Sequence, residues 1–332
     1  MTFPELAQQT ESSPRYAQEW LEQQTTAGWI VCENPMATAA ERRFRLPPGH
    51  ASVLADETSL AFCMPLALMH GGFGKIIDDH VEAYKNDTGV SWSTLGGDVR
   101  NAQAMVNRPF FTQALPSILE QYVLDDKARS KVHEENGTLR IADIGAGYAW
   151  SSIGVAKHFG SNCLVDAFDL DEPSIEHAKE LIKQEGLEDR VHAYCQDAGT
   201  FKKDRSDEEP YDLVMALECV HDLGDPISVL RTMRELASTA DGKLEGTVLV
   251  MDEKAVDFES GLTGDERFTQ QLFYGFSCMC CLVDGKSHPN SAATGAVMHP
   301  GVLRAYAQQA GFKEIEILDA EHDFFRFYKL IG

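Results

Sequence analysis

From about residue 138 onward the chain alternates mostly apolar runs with helix-patterned segments, and this alternation restricts its fold more than any other feature. The runs are "LRIADIG", "CLVDAFDL", "RVHAYCQD", "YDLVMALEC" and "TVLVMDE". Strands apolar along their whole length must be covered on both faces. Regularly interposed helices provide that cover in a doubly wound, mostly parallel sheet with right-handed crossovers. The helix after the second run is well punctuated, with Asp171 as cap, Pro173 in its first turn and Gly186 at its exit. After an irregular stretch over 254–299, "PGVLRAYAQQAGF" has helical spacing, with Leu303, Tyr306, Ala307 and Ala310 on one face. "EIEILD" and "FFRFYKL" then complete a seven-stranded α/β sheet.

The front of the chain reads differently. Residues 1–50 give a helix, a turn, a longer helix and a hairpin made of "WIVC" and "RRFRL", the order found in the latter part of a winged helix. The first helix of such a domain is not found ahead of Met1. Residues 51–130 have helical patterning and read as a bridge and cap. Residues 131–332 form the α/β domain. Over 1–50, Arg15, Arg42, Arg43 and Arg45 face six glutamates, so a role in pairing two subunits into a homodimer is expected before one in reading DNA.

Charge and composition exclude several classes of function. The net charge of −23 repels a phosphate backbone, which argues against nucleic acid as a partner. No run approaches the roughly 18 apolar residues of a membrane span. The N-terminus has no basic start followed by an apolar run, so a cytoplasmic protein with no membrane partner is expected. The eight cysteines are scattered through a long chain, which predicts free thiols rather than a disulfide framework.

"RIADIGAGYAWSS", residues 140–152, places a glycine turn between the first run and a helix. A dinucleotide-binding turn needs a very small residue at the sixth position of its G-x-G-x-x-G pattern, beside the pyrophosphate. Trp150 occupies that position. The turn therefore favours a ligand without a pyrophosphate, laid along Gly145 and Gly147.

"ADIGAGYAWSSIGVAKHFG", "VDAFDLDEPSIEHAKE", "AYCQDAGT" and "YDLVMALECVHDLGDP", in that order, resemble the successive motifs of class I S-adenosylmethionine-dependent methyltransferases. The tail from "MDEKAVDF" to "FFRFYKL" resembles the two-domain members with an N-terminal winged-helix region. The resemblance implies a Rossmann-like methyltransferase fold and S-adenosylmethionine as cofactor. Asp169, 22 residues after Gly147, would hold the ribose hydroxyls. Asp197 would accept from the adenine amino group beside the Ala198 amide. Asp143, Gly145, Ala146 and Gly147 would shape the turn under the methionine half. Leu170 and Glu218 would complete the wall along the carboxyl edge of the sheet. The family commonly has a third small residue, usually glycine, where this chain has Ala149, followed by the bulky Trp150.

Methyl transfer needs an aligned nucleophile and, where that nucleophile carries a proton, a base. His221 in "ECVHDLGDP" is the base candidate; the alternative is that it only closes the strand-to-helix turn. Asp225 reads as a helix cap. Tyr274, Cys281 and His299 are candidates for lining the substrate pocket, with structural roles as the alternative. The C-x-C-C run Cys278, Cys280 and Cys281 reads as small apolar packing, and no residue is assigned to a metal. The expected reaction is methylation of a small-molecule acceptor, oxygen favoured on the resemblance and nitrogen or sulfur next. The rival readings are a winged-helix ligand-sensing transcriptional regulator and a cofactor-binding protein without turnover.

Overall fold

All seven apolar runs pair into one sheet. In the computed structural model the strands are β1 (Leu139–Ile144), β2 (Cys163–Asp169), β3 (Val191–Cys195), β4 (Leu213–Leu217), β5 (Thr247–Glu253), β6 (Glu314–Ile317) and β7 (Phe325–Ile331). Their order across the sheet is β3-β2-β1-β4-β5-β7-β6, parallel except where β7 runs antiparallel to β5 and β6. The structure describes residues 1–135, 137–200, 209–264 and 266–332 and divides into two units, Met1–Ala67 and Leu68–Gly332.

Register decides what the sheet presents at its carboxyl edge. Ile144 lies beside Phe168 on one side and Ala216 on the other, and Leu217 lies beside Met251. Gly145, Asp169, Glu218 and Asp252 therefore leave their strands in one row, where open α/β sheets bind ligands.

The strands bury alternate residues on opposite faces. Ile141, Val165, Met215, Leu249 and Met251 join one apolar layer with Phe111, Leu115 and Ile153. Ile144, Val214, Ala216, Val248 and Val250 join the other with Leu230, Met233 and Leu303. Full burial of a side chain of this size contributes about 1.5–3 kcal/mol, so the two layers fix the strand ends firmly.

Helices α1 (Trp92–Gln113), α2 (Trp150–Phe159), α3 (Glu172–Gln184), α4 (Pro226–Leu236), α5 (Glu266–Phe276) and α6 (Pro300–Gln309) matter most to the site. Asp171 caps α3 by accepting from the Ser174 amide at 3.0 Å, and Asp225 caps α4 by accepting from the Ser228 amide at 3.0 Å. Both caps were legible as such.

The first unit contains helices Phe3–Gln9 and Pro14–Thr26 and a two-stranded ribbon pairing Val31–Cys32 with Phe44–Arg45. Leu21, Ile30 and Phe44 form its small core.

Candidate active site

The turn after β1 takes conformations that its sequence explains. Gly145 and Gly147 have φ of +70° and +54°, the left-handed region that glycine enters without a steric penalty. A Cβ on Gly145 would come within 2.7 Å of Cys219 Sγ, whereas one on Gly147 would meet nothing within 4 Å. The turn is thus packed from below at Gly145 and open at Gly147. Ala149, with φ of +60°, heads α2 in the same left-handed conformation, which explains why a glycine suits this position.

The ends of β1 and β2 hold the turn in place. The Gly145 and Ala146 amides donate to the Phe168 carbonyl at 2.8 and 3.1 Å. Asp169 accepts from the Gly147 amide at 2.7 Å and from the Asp171 amide at 2.8 Å. Burial raises its pKa despite these two bonds. Beneath the turn, buried Asp143 accepts from the hydroxyls of Ser151 and Ser152 at 2.6 and 2.7 Å, and burial pushes its pKa up to about 6. Trp150 packs its indole against the apolar layer, with the Arg108 guanidinium 4.5 Å from the ring centroid.

Asp197, past the end of β3, accepts from the Gly199 amide at 2.8 Å and from the Thr200 hydroxyl at 3.1 Å, with half-buried Ala198 beside it. Leu170 is exposed at the tip of β2. Tyr194 stacks on Phe168 at 5.3 Å.

The ends of β4 and β5 build a second centre around His221, which is 2% exposed. Its Nδ1 donates to Asp252 Oδ1 at 2.7 Å and lies 3.0 Å from Glu253 Oε2, while Nε2 lies 3.3 Å from Asp222 Oδ1. Burial works against a charged ring, but Asp222, Asp252 and Glu253 outweigh it and hold the His221 pKa well above its ordinary value. Burial and the nearby imidazole act on Glu253 in opposite senses, and burial wins, placing its pKa at about 7. Glu218, with φ of +52°, accepts from Asn107 of α1, and burial followed by repulsion from Glu253 pushes its pKa far up. Strain of this kind in a non-glycine residue concentrates at functional sites.

Helix α1 is tied to the same edge at three places. Arg100 grips Asp171 through two hydrogen bonds of 2.6 and 3.1 Å, Asn101 accepts from the Tyr148 hydroxyl at 2.5 Å, and Asn107 reaches Glu218.

The segment after β5 brings in only part of the expected lining. A π-helical turn over Ser277–Cys281 follows α5 and leaves Cys281 buried, with its thiol against His221 and Asp222. Cys280 and Cys281 are buried in an apolar cluster with Met69, Val99 and Val283, as the packing reading of the C-x-C-C run expects, whereas Cys278 is exposed and does not pack there. Tyr274 is partly exposed on α5. His299 occupies the N-cap position of α6 without a side-chain capping bond, its Nδ1 3.9 Å from Asp257. Among the described residues, neither has a hydrogen bond or ion pair to His221. The sequence reading gave no role to Asp252, Glu253, Asn107 or Arg100. The one available signal was the acidic pair closing "TVLVMDE".

The fold and its edge define a doubly wound α/β domain whose carboxyl edge carries a glycine turn and a row of strand-end carboxylates. Residues 141–239 match the family described as methyltransferase domain. The structure resembles mitomycin 7-O-methyltransferase MmcR at TM-score 0.65 and 18% identity, covering 100% of this chain and 87% of that one. It resembles PigF with SAH at TM-score 0.63 and 14% identity, covering 100% and 89%. It also resembles N,N-8-amino-8-demethyl-D-riboflavin dimethyltransferase (RosA) from Streptomyces davawensis, at TM-score 0.56 and 16% identity, covering 100% and 89%. No curated protein sequence matches the chain significantly. At these identities the structural likenesses speak for the fold, and the family match marks residues 141–239 as a methyltransferase domain. Residues 141–239 form a methyltransferase domain, and the protein is an enzyme that uses S-adenosylmethionine.

The residues fit that cofactor. The open face at Gly147 leaves room for a ligand against the backbone, and Asp169 keeps unused lone pairs beside it.

Proposed function

We propose that this enzyme methylates a small-molecule acceptor, with a hydroxyl oxygen favoured over nitrogen or sulfur, and that the acceptor's proton is removed at the His221 centre. The observation that carries the reading is the single row of strand ends. It sets the open Gly147 face and Asp169 beside the buried His221–Asp252 pair at the head of β4 and β5. When bound, S-adenosylmethionine supplies an electrophilic methyl on a sulfonium. Asp169 accepts from the ribose hydroxyls, Asp197 from the adenine amino group, and Gly145, Ala146 and Gly147 keep the backbone low under the methionine half. Asp252 holds the Nδ1 proton, so Nε2 is the atom that takes the acceptor's proton in metal-free protein once the ring has lost its second proton. Cys281, Tyr274 and His299 are our candidates for contact with the acceptor. The small-molecule acceptors in the names of MmcR and RosA support the class of acceptor.

The test is a screen of metabolite extracts with isotope-labelled S-adenosylmethionine, reading which compound gains the label. Transfer to small compounds is expected, and His221→Asn should abolish it while binding of S-adenosylhomocysteine persists. Label appearing only on protein or nucleic acid would overturn the reading.

We also infer that the first unit pairs two copies into a homodimer. Tyr16 and Trp20, one turn apart on helix Pro14–Thr26, are 78% and 53% exposed. Aromatic residues placed in this way mark contact surfaces. Sedimentation should give a dimer that Trp20→Glu converts to monomer; a wild-type monomer at micromolar concentration would remove the inference.

A further inference from the structure

The His221 centre has more negative charge than its partners balance. Asp222, Asp252 and Glu253 have His221 as their ion-pair partner among the described residues, so one imidazole serves three carboxylates. Asp222 Oδ1, Asp252 Oδ2 and Glu253 Oε2 are buried atoms with no hydrogen-bond partner, and Asp252 is 0% exposed. Buried oxygens of this kind call for protons or for a cation.

The donor set on the Nε2 side suits a cation of a particular class. His221, Asp222 and Cys281 each direct one ligand atom into a common space, and these atoms lie within 4.8 Å of one another. Nε2 and Asp222 Oδ1 are 3.3 Å apart. Two ligand atoms each about 2.0–2.1 Å from a tetrahedral zinc ion stand about 3.3 Å from each other. The opposite ring nitrogen donates to Asp252, the outer carboxylate that commonly orients a metal-bound histidine. Cys281 lies at the end of the π-helical turn over Ser277–Cys281, in the same apolar cluster as Cys280, with its thiol at the edge of the cluster that meets His221 and Asp222.

We propose that His221 Nε2, Asp222 and Cys281 bind one divalent ion of the thiolate-accepting class, such as Zn²⁺ or Fe²⁺, with an open coordination position. The proposal rests on the methyl-transfer reading of this pocket only for its use. Three protein ligands with a vacant position are the pattern of catalytic rather than structural zinc. An acceptor hydroxyl in that position would have its pKa lowered by the ion and would lose its proton to solvent, leaving the oxygen as the nucleophile. In the loaded enzyme His221 is therefore a ligand, and its role as base belongs to metal-free protein.

The test uses full-length protein stripped with a chelator and titrated with Co²⁺, then Zn²⁺. One ion per chain is expected, with a thiolate-to-Co²⁺ charge-transfer band that Zn²⁺ displaces. Cys281→Ser should remove the band, and Asp222→Asn should weaken binding at least 10-fold. A cooperative thermal melt without metal checks that each variant is folded. If a variant fails to fold, electron paramagnetic resonance of the wild-type Co²⁺ complex, with and without a hydroxyl-bearing acceptor, gives the same test. Binding without the band, a band that persists in folded Cys281→Ser, or no stoichiometric binding would each overturn the metal site. Calorimetry with S-adenosylhomocysteine and label transfer by stripped protein are read separately. Stripped protein that still transfers methyl at the full rate would leave the function standing and sink this proposal's use of the ion.

Discussion

His221 Nδ1 donates to Asp252 Oδ1 across 2.7 Å, and both side chains are sealed from solvent although 31 residues separate them. The pair joins the turn after β4 to the end of β5 and fixes which ring nitrogen is free. Replacing Asp252 with Asn keeps the size but removes the obligate acceptor. Methyl transfer should fall about 10- to 100-fold, the scale for an outer carboxylate on a functional histidine. Initial rates with the acceptor found by label screening check this, and an unchanged rate would make the pair purely structural.

At Asp169 the two hydrogen bonds to the turn and the expected bonds to ribose act together. Asp169→Ala should weaken S-adenosylhomocysteine binding by about 1–3 kcal/mol, the scale for hydrogen bonds to a charged group. Isothermal calorimetry reads the difference, and equal affinity would take Asp169 out of the site.

The two glycines should fail in different ways. Gly145→Ala drives a Cβ to 2.7 Å from Cys219 Sγ and keeps a φ of +70°, so it should lower stability by about 1–3 kcal/mol. Gly147→Ala meets no protein atom within 4 Å, so its stability loss should stay near about 1 kcal/mol while cofactor affinity falls more steeply. Paired denaturation and calorimetry on both variants separate the two effects.

Asp143 gives a pH dependence. Its carboxyl titrates near 6 in the folded protein against 3.8 ordinarily. Between those values the native state binds more protons than the unfolded one, so stability falls as pH rises through this window, by at most about 3 kcal/mol. In Asp143→Asn that slope disappears. Urea denaturation from pH 4 to pH 7.5 should show wild type losing ground to the variant up to about pH 6 and holding level above it; parallel curves would contradict the raised pKa.

Local chemistry made much of this legible from residues alone. Apolar runs identified the strands because period-2 burial on both faces leaves no polar positions to confuse the pattern. Asp171 and Asp225 were readable as caps because capping is settled within three residues. Gly145 and Gly147 announced a left-handed turn because only the missing Cβ makes that backbone free of strain.

What the tertiary structure decided is which distant residues meet. The sequence offered His221 with Asp222 beside it, but Asp252 and Glu253 face that ring only because β5 lies next to β4 in the sheet. Cys281 read both as packing and as a candidate for the pocket wall, and it reaches the centre through a turn of π-helix that its own residues do not foretell. Trp150 looked like an obstruction, and its packing against the apolar layer and Arg108 emerges only once α2 has docked. Periodicity, caps and backbone freedom are properties of neighbours along the chain, whereas an active centre depends on strand order and docking, which no short stretch of the sequence contains.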